Sequence, residues 1–484
     1  MEDLQPPFLF ATASGERRRL GALKEAGRIH AIGPRLYSSL PKQQVARATR
    51  AAWASIVAGL YPDALLGHRT ALDYRPDPDG VVFLTATTNR RVEYPGLTLQ
   101  FVRGPGPLDD DPAFLGLRAS SLPRALLENL SVDPRRAVAR TAPIATVEHR
   151  LEQLLRDGGA IEVNRLRDRA RVIATTLGWA GAFERLDAII GALSGTRPAD
   201  AVTSPGARAR AIGEPFDTAC FERLQLLFGE LQQRALTTAP EPRTTAAHLR
   251  HKAFFEAYFS NYIEGTRFEI EEAEAIVFDR QIPAARPKDA HDIVGTFAVV
   301  SDPVEMRRTP SSSDELVELL RARHLAMLSR RPEAEPGVLK TKPNRAGETV
   351  FVLPEYVRGT LGQGHALYSA LPRGLPRAIF MMFLVADVHP FADGNGRLAR
   401  VMMNAELVAA GASTIIVPTV FRDDYLTALR ALTRRHRPTP LVDALRRAAA
   451  FSHLDFTAYP RALAELQRRN WFREPDEARI VDVP

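Results

Sequence analysis

The stretch from His389 to Arg400 (His-Pro-Phe-Ala-Asp-Gly-Asn-Gly-Arg-Leu-Ala-Arg) constrains the fold of this chain more than any other. Just before it, residues 378–388 are apolar, and Ile379, Phe380, Phe383, Leu384 and Val388 predict the buried face of a helix that delivers His389. Gly394, Asn395 and Gly396 can take backbone angles closed to most residues, so that N–H groups converge on an anion. A second helix is predicted over 397–410, its positive end aimed at the same point. Arg397 and Arg400 lie three residues apart on it, so both guanidiniums can face the anion. Asp393 is a candidate oxygen ligand for a magnesium ion bridging phosphates, and His389 a candidate general base. A base, a carboxylate, an anion cradle and two arginines point to phosphoryl or nucleotidyl transfer.

The same stretch resembles the signature of the Fic family, His-x-Phe-x-(Asp/Glu)-Gly-Asn-Gly-Arg-x-x-Arg, at every defined position. The resemblance implies a mainly α fold over residues 215–470, an all-helical core with a short β-hairpin flap. It implies an adenylyltransferase that moves AMP from ATP, with Mg²⁺, to a Ser, Thr or Tyr hydroxyl of a protein target. On that resemblance His389 takes the hydroxyl proton and Asp393 binds Mg²⁺. Gly394, Asn395 and Gly396 stabilise the α-phosphate, Asn395 also through its side chain, while Arg397 holds the β-phosphate and Arg400 the γ-phosphate. Phe391 is expected to be buried as the loop's anchor.

A predicted helix over 245–262 runs into Ser260-Asn261-Tyr262-Ile263-Glu264-Gly265, which resembles the family's inhibitory motif, (Ser/Thr)-x-x-x-Glu-(Gly/Asn). The resemblance implies an inhibitory helix over 245–265 whose Glu264 pairs with Arg400 and withdraws it from the γ-phosphate. A carboxylate can indeed replace a phosphate oxygen in an arginine clamp. The plainer alternative is a helix end capped by Gly265. Residues 339–353 shift toward a strand pair, with Asn344-Arg345-Ala346-Gly347 as its turn. By resemblance Thr349, Val350 and Phe351 form the flap edge that holds the target by strand addition; a hairpin packed only on the core is the alternative. Tyr425, by resemblance, borders the adenine pocket, to stack there or to pack. Gly359, Gly362 and Gly364 read as a flexible loop rather than a second nucleotide site. Two other functions stay open. One is removal of AMP by the same residues, with Glu264 aligning water. The other is a DNA-binding, toxin–antitoxin-like regulator whose second half senses nucleotide.

The N-terminal part is read as α/β. Residues 6–40 predict a helix, a turn, a second helix over 15–26 capped by Ser14, and a short β-wing joined by Gly33-Pro34-Arg35. This resembles part of a winged helix-turn-helix, with Arg17, Arg18 and Arg19 as DNA contacts or as a solvated face. A helix over 46–60, His68-Arg69-Thr70-Ala71-Leu72 and a hairpin of strands 80–85 and 97–102 follow; their order resembles AbiEi-type antitoxin regulators over residues 6–200. His68 is expected to be structural, and Asp109-Asp110-Asp111 a solvated acidic turn rather than a metal site. Helices are predicted over 122–130, 144–155, 163–177 and 182–193. The organisation expected is a winged-helix-like segment (1–42), an α/β region (43–193), a Gly/Pro/Ser-rich linker (194–214), the catalytic domain (215–470) and a tail (471–484) that is loose from Pro475.

Composition adds bounds. Net charge is +7, but only six of the 64 basic residues are lysines, so global charge says little about nucleic acid. Residues 1–50 hold nine Lys/Arg against four Asp/Glu. One cysteine, Cys220, excludes an internal disulfide, reads as a core residue and fits a cytoplasmic location. No apolar run approaches the roughly 20 residues of a membrane span. Partners expected are a protein substrate, the chain itself by self-modification, DNA through the N-terminal region, and a second copy in a homodimer.

Overall fold

The computed structural model describes residues 6–131, 139–475 and 477 of the chain, which divides into two compact units, Met1–Gly213 and Glu214–Pro484. The first unit opens with strand Phe8–Phe10, helix Ser14–Glu25, and strands His30–Gly33 and Leu36–Ser38. The strands form one antiparallel sheet with Leu36–Ser38 in the middle. A strand thus stands where the first of two helices was expected. Phe8-Leu9-Phe10 follows two prolines, which favour extended backbone, and its backbone pairs with Leu36–Ser38. Ala13, not Ser14, holds the cap position of the helix. Arg17, Arg18 and Arg19 are exposed along it.

A six-stranded sheet follows, in the order Arg90–Tyr94, Leu97–Arg103, Val81–Ala86, Leu65–Leu66, Leu117–Ala119, Ala113–Phe114. The expected hairpin of 80–85 with 97–102 is instead a parallel pair, and Leu97–Arg103 makes its hairpin with Arg90–Tyr94. That outer strand escapes a reading by composition because its charged residues face solvent, as befits an edge. Helices Leu122–Leu130, Ile144–Leu177 (broken at Gly159, φ 67°, ψ −171°) and Ala180–Leu193 pack on one another and on helix His68–Asp73. The expected linker 194–214 is folded. It carries helical turns Ala199–Ala201 and Pro205–Ala211, buries Val202 and Ala207, and is tied down by Glu148, which accepts from Thr203 and Ser204 N–H groups at 2.7 Å.

The acidic run is not simply a solvated turn. Asp111 is buried and takes Arg124 Nη1 at 2.6 Å. Arg124, itself fully buried, also donates to Glu128 Oε1 at 3.0 Å and to the carbonyls of Pro105 and Gly106. Glu128 in turn accepts the backbone N–H of His68 at 2.7 Å, while the His68 ring leaves Nδ1 without a partner and burial lowers its pKa.

The second unit is helical around one long core. Helix Leu375–Val388 is buried at every position but Arg377, and helix Asn395–Ala409 packs on it. The segment expected as a glycine loop is helix Val357–Ser369. Its glycines allow close packing: a Cβ on Gly359 would lie 2.2 Å from Pro215 O, and one on Gly364 2.4 Å from Leu384. Strands Arg345–Ala346 and Thr349–Val350 form a two-rung antiparallel hairpin. Trp471, at the start of the expected tail, is buried against Phe259 and Phe451; residues 476 and 478–484, in the part expected to be loose, lie outside the described residues. Cys220 is buried in the core. No described helix is long and apolar enough to cross a membrane.

Replacing Arg124 with alanine strands two buried carboxylates. It is expected to cost about 3–5 kcal/mol, read as a lower urea midpoint from the fluorescence of Trp53. An unmoved midpoint would show the network to be dispensable.

Candidate functional site

His389 ends helix Leu375–Val388 in the left-handed conformation, φ 53°, which turns its side chain out of the helix. Its Nδ1 lies 3.2 Å from Ala386 O; a carbonyl only accepts, so the proton sits on Nδ1 and Nε2 carries the lone pair. The Phe351 ring lies flat on the imidazole, 3.7 Å between centroids. Burial pushes the imidazole pKa down to about 4, against the pull of the Ala386 carbonyl, so the ring is neutral at physiological pH.

The loop after His389 is held by its own side chains. Phe391, fully buried, stacks on His324 at 3.9 Å. Asn395 accepts the Phe391 N–H and donates to the Phe391 carbonyl, both at 2.9 Å, and Asn344 donates to the same carbonyl at 2.9 Å. Asn395 is therefore spent on shaping the loop, and its side chain is not free for a phosphate as expected. His324 accepts the Gly337 N–H on Nδ1 and so donates from Nε2 to Asp393 O at 2.9 Å. Gly394 takes φ 75°, and the helix begins at Asn395, two residues earlier than expected. Gly396 is helical, so no positive φ calls for glycine there, and what a side chain would meet is the Glu264 carboxylate. A Cβ there would lie 2.2 Å from Glu264 Oε1. The first-turn N–H groups of this helix have no acceptor within it, which suits its start to an anion.

Two buried guanidiniums stand on this helix. Arg400 Nη2 donates to Glu264 Oε1 at 2.7 Å and to Ser260 O at 2.7 Å, and its Nε donates to Ser260 Oγ at 2.9 Å. Ser260 lies in helix Ala246–Ile263, capped at its start by Thr245; Glu264 follows its end, and Gly265, at φ 97°, turns the chain away. Arg397 is held by Asp292 Oδ2 at 2.5 Å and by Asn261 Oδ1 at 3.2 Å. Arg331 meets the same Asp292 oxygen at 2.7 Å and reaches Asp393 Oδ2 at 3.4 Å. Burial raises the Asp292 pKa against the pull of Arg397. Asp292, Arg331 and His324 carry no functional signal in the sequence, being scattered over separate elements with no shared spacing, and Asn261 and Asn344 fall at undefined positions of the motif and turn that contain them.

Tyr425 is buried with its ring centroid 6.0 Å from the Arg400 guanidinium carbon. Thr349 accepts from Arg434 Nε at 2.9 Å and Val350 is 66% exposed, whereas Phe351 lies beyond the strand, on the histidine, and not at a free edge. His389, Gly396, Glu264, Arg400, Tyr425 and Phe351 all line one cavity of about 310 Å³. Arg17, Arg18 and Arg19 belong to the first unit. Asp393, half exposed, is a lone carboxylate: among the described residues no group of three or more His, Cys, Asp or Glu side chains could hold a metal ion. It suits a Mg²⁺ ion completed by phosphate oxygens and water.

Residues 314–407 match the model of the Fic/DOC family. Curated relatives include the protein adenylyltransferase fic-1 of Caenorhabditis briggsae, 25% identical over 228 residues that cover 43% of this chain and 44% of that protein. Another is the protein adenylyltransferase Fic of Nematostella vectensis, 27% identical over 187 residues, covering 36% of this chain and 43% of that one. The chain thus spans less than half the length of these relatives. The solved structure of Fic-1 from C. elegans aligns at 17% identity and a TM-score of 0.38, covering 67% of this chain and 99% of that one.

A nitrogen-detected NMR titration is expected to show the His389 ring neutral from pH 8 down to roughly pH 5, protonating near the depressed value. Since Glu264 favours the imidazolium, Glu264→Gly moves the midpoint lower still. A midpoint near 6.5 would mean a solvated ring.

Proposed function

We propose that this chain, whose residues 314–407 match the Fic/DOC family model, is a protein adenylyltransferase that its own Glu264 holds off. The observation that carries the reading is the Arg400–Glu264 pair, 2.7 Å long, at the mouth of the cavity that also holds His389. With Nη2 bonded to Glu264 Oε1 and Ser260 O and Nε to Ser260 Oγ, Arg400 is drawn away from a γ-phosphate, and the Glu264 carboxylate occupies the place of a phosphate oxygen.

In the transfer itself, Nε2 of His389 takes the proton of a Ser, Thr or Tyr hydroxyl on the target. The hydroxyl oxygen bonds the α-phosphorus of ATP, the bond to the bridging oxygen breaks, and pyrophosphate leaves. The helix N-terminus at Asn395 and Gly396 receives charge developing on the α-phosphate through backbone N–H groups already in place. Arg397, oriented by Asp292, holds the β-phosphate, and Arg400, once released, the γ-phosphate. Asp393 would hold Mg²⁺, which neutralises phosphate charge when bound. The exposed Val350 edge receives the target's backbone, and Phe351 must slide off His389 to admit the hydroxyl. The reverse reaction, removal of AMP from a modified protein, is the second reading. It is favoured by Glu264 and His389 lining one cavity, where a carboxylate can align water.

With ATP labelled on the α-phosphate, Glu264→Gly is expected to raise self-labelling over wild type by roughly 5- to 150-fold, the usual range of a coupling between sites. Adding His389→Ala should cut it by roughly 100- to 10,000-fold. Equal labelling of wild type and Glu264→Gly would overturn the inhibition. Label absent from every variant, with loss of label from a premodified protein, would establish AMP removal.

A further inference from the structure

A second cavity, of about 220 Å³, lies against the same helix, Ala246–Ile263, toward its opposite end. Its walls are apolar: Leu249, Ala253, Val300, Met306 and Val408 among them. Its polar lining includes Glu241, Lys252, Glu256 and Thr414, with Arg307 exposed at the rim. The charges are unevenly matched. Lys252 Nζ donates to Glu241 Oε2 and to Ser413 Oγ, both at 2.7 Å, and Glu241 Oε1 also takes His248 Nε2 at 2.9 Å. Glu241 is thereby satisfied. Glu256, only 7% exposed, has no cation bonded to it among the described residues. Burial pushes its carboxyl up to about 7, against the hydrogen bonds of Asn404 and Thr414 and the charge of Lys252. A buried acid facing an apolar cavity, with neutral Asn and Thr partners but no cation bonded to it, is a place where an organic cation gains both a charge-assisted bond and apolar contact.

We propose that this cavity binds a small organic cation with an apolar body, an amidine, guanidine or alkylammonium, whose charged end pairs with Glu256, and that its occupancy shifts the helix carrying Ser260 and Glu264. The volume admits on the order of seven water-sized groups at roughly 30 Å³ each, the scale of benzamidine. Glu256, Ser260 and Glu264 are four residues apart in turn, so they share one stripe of the helix facing Arg400 and Asn404. Glu256 lies about 12 Å from Glu264 along the axis at roughly 1.5 Å per residue. A packed helix displaced at one end moves at the other, and the Arg400–Glu264 contact, at the helix terminus, is where the displacement is felt. This second half of the proposal rests on the inhibitory role of Glu264.

Isothermal calorimetry with benzamidine on the full chain decides the site. Wild type is expected to bind saturably, and Glu256→Gln about tenfold or more weaker, the scale of one hydrogen bond to a charged group. Val408→Phe, which fills the cavity and leaves Glu256 in place, should lose binding. No saturable binding to wild type, or equal binding to all three proteins, would overturn the site. Benzamidine should raise self-labelling of wild type and leave Glu264→Gly unchanged; binding without that rise would overturn the coupling. Should Glu264→Gly label nothing at all, the transfer reading fails, and the calorimetry still decides the cavity.

Discussion

A buried guanidinium cannot be left without a partner, and the second unit is arranged around two of them. Arg397 and Arg400 are 3% and 5% exposed, in the first turns of a helix whose positive end points the same way. A buried cation stripped of its counter-charge costs several kcal/mol, so carboxylates must come from elsewhere in the fold. Asp292 supplies one from helix Pro287–Val300 and Glu264 the other from the end of helix Ala246–Ile263. The two partners differ in kind. The Asp292 side chain is 3% exposed and shared between Arg397 and Arg331, whereas that of Glu264 is 34% exposed at the mouth of a cavity. A phosphate can replace only the second.

Preorganisation of the loop follows the same economy. Asn395, Asn344, His324 and Lys340 all bond to backbone atoms between Pro390 and Asp393, so the conformation that presents His389 is held by the chain's own groups. A histidine held at positive φ is a local strain that persists because those contacts over-determine it. Phe351 then keeps the ring dry and neutral, which suits a base and also covers it.

Helix Ala246–Ile263 joins these features. Its Phe254, Phe255 and Phe259 are locked into the core, while Glu256, Ser260 and Glu264, four residues apart in turn, meet Asn404 and Arg400 of the arginine helix. A polar seam inside a helical core is held by directional bonds rather than by apolar area, so it can rearrange without unpacking the unit.

Much of this is legible in the amino-acid chain itself. The histidine-bearing helix, the loop, the paired arginines and the helix ending in Glu264 are each written within a dozen or so neighbouring residues, where periodicity and turn chemistry act. Expectations fail where meaning depends on distant surfaces. Gly359 and Gly364 look like a loop until Pro215 and Leu384 are pressed against them, and Arg90–Tyr94 looks too charged for a strand until it takes its place at an edge. Asn395 looks free for a ligand until Phe391 claims it. Asp292 and Arg331 carry no signal at all, because a lone acid and a lone arginine on separate elements acquire a role only when packing brings them to Arg397 and Asp393. Local sequence decides which groups a segment can offer. Tertiary packing alone decides which buried charge each must answer, because that is a matter of which surfaces meet.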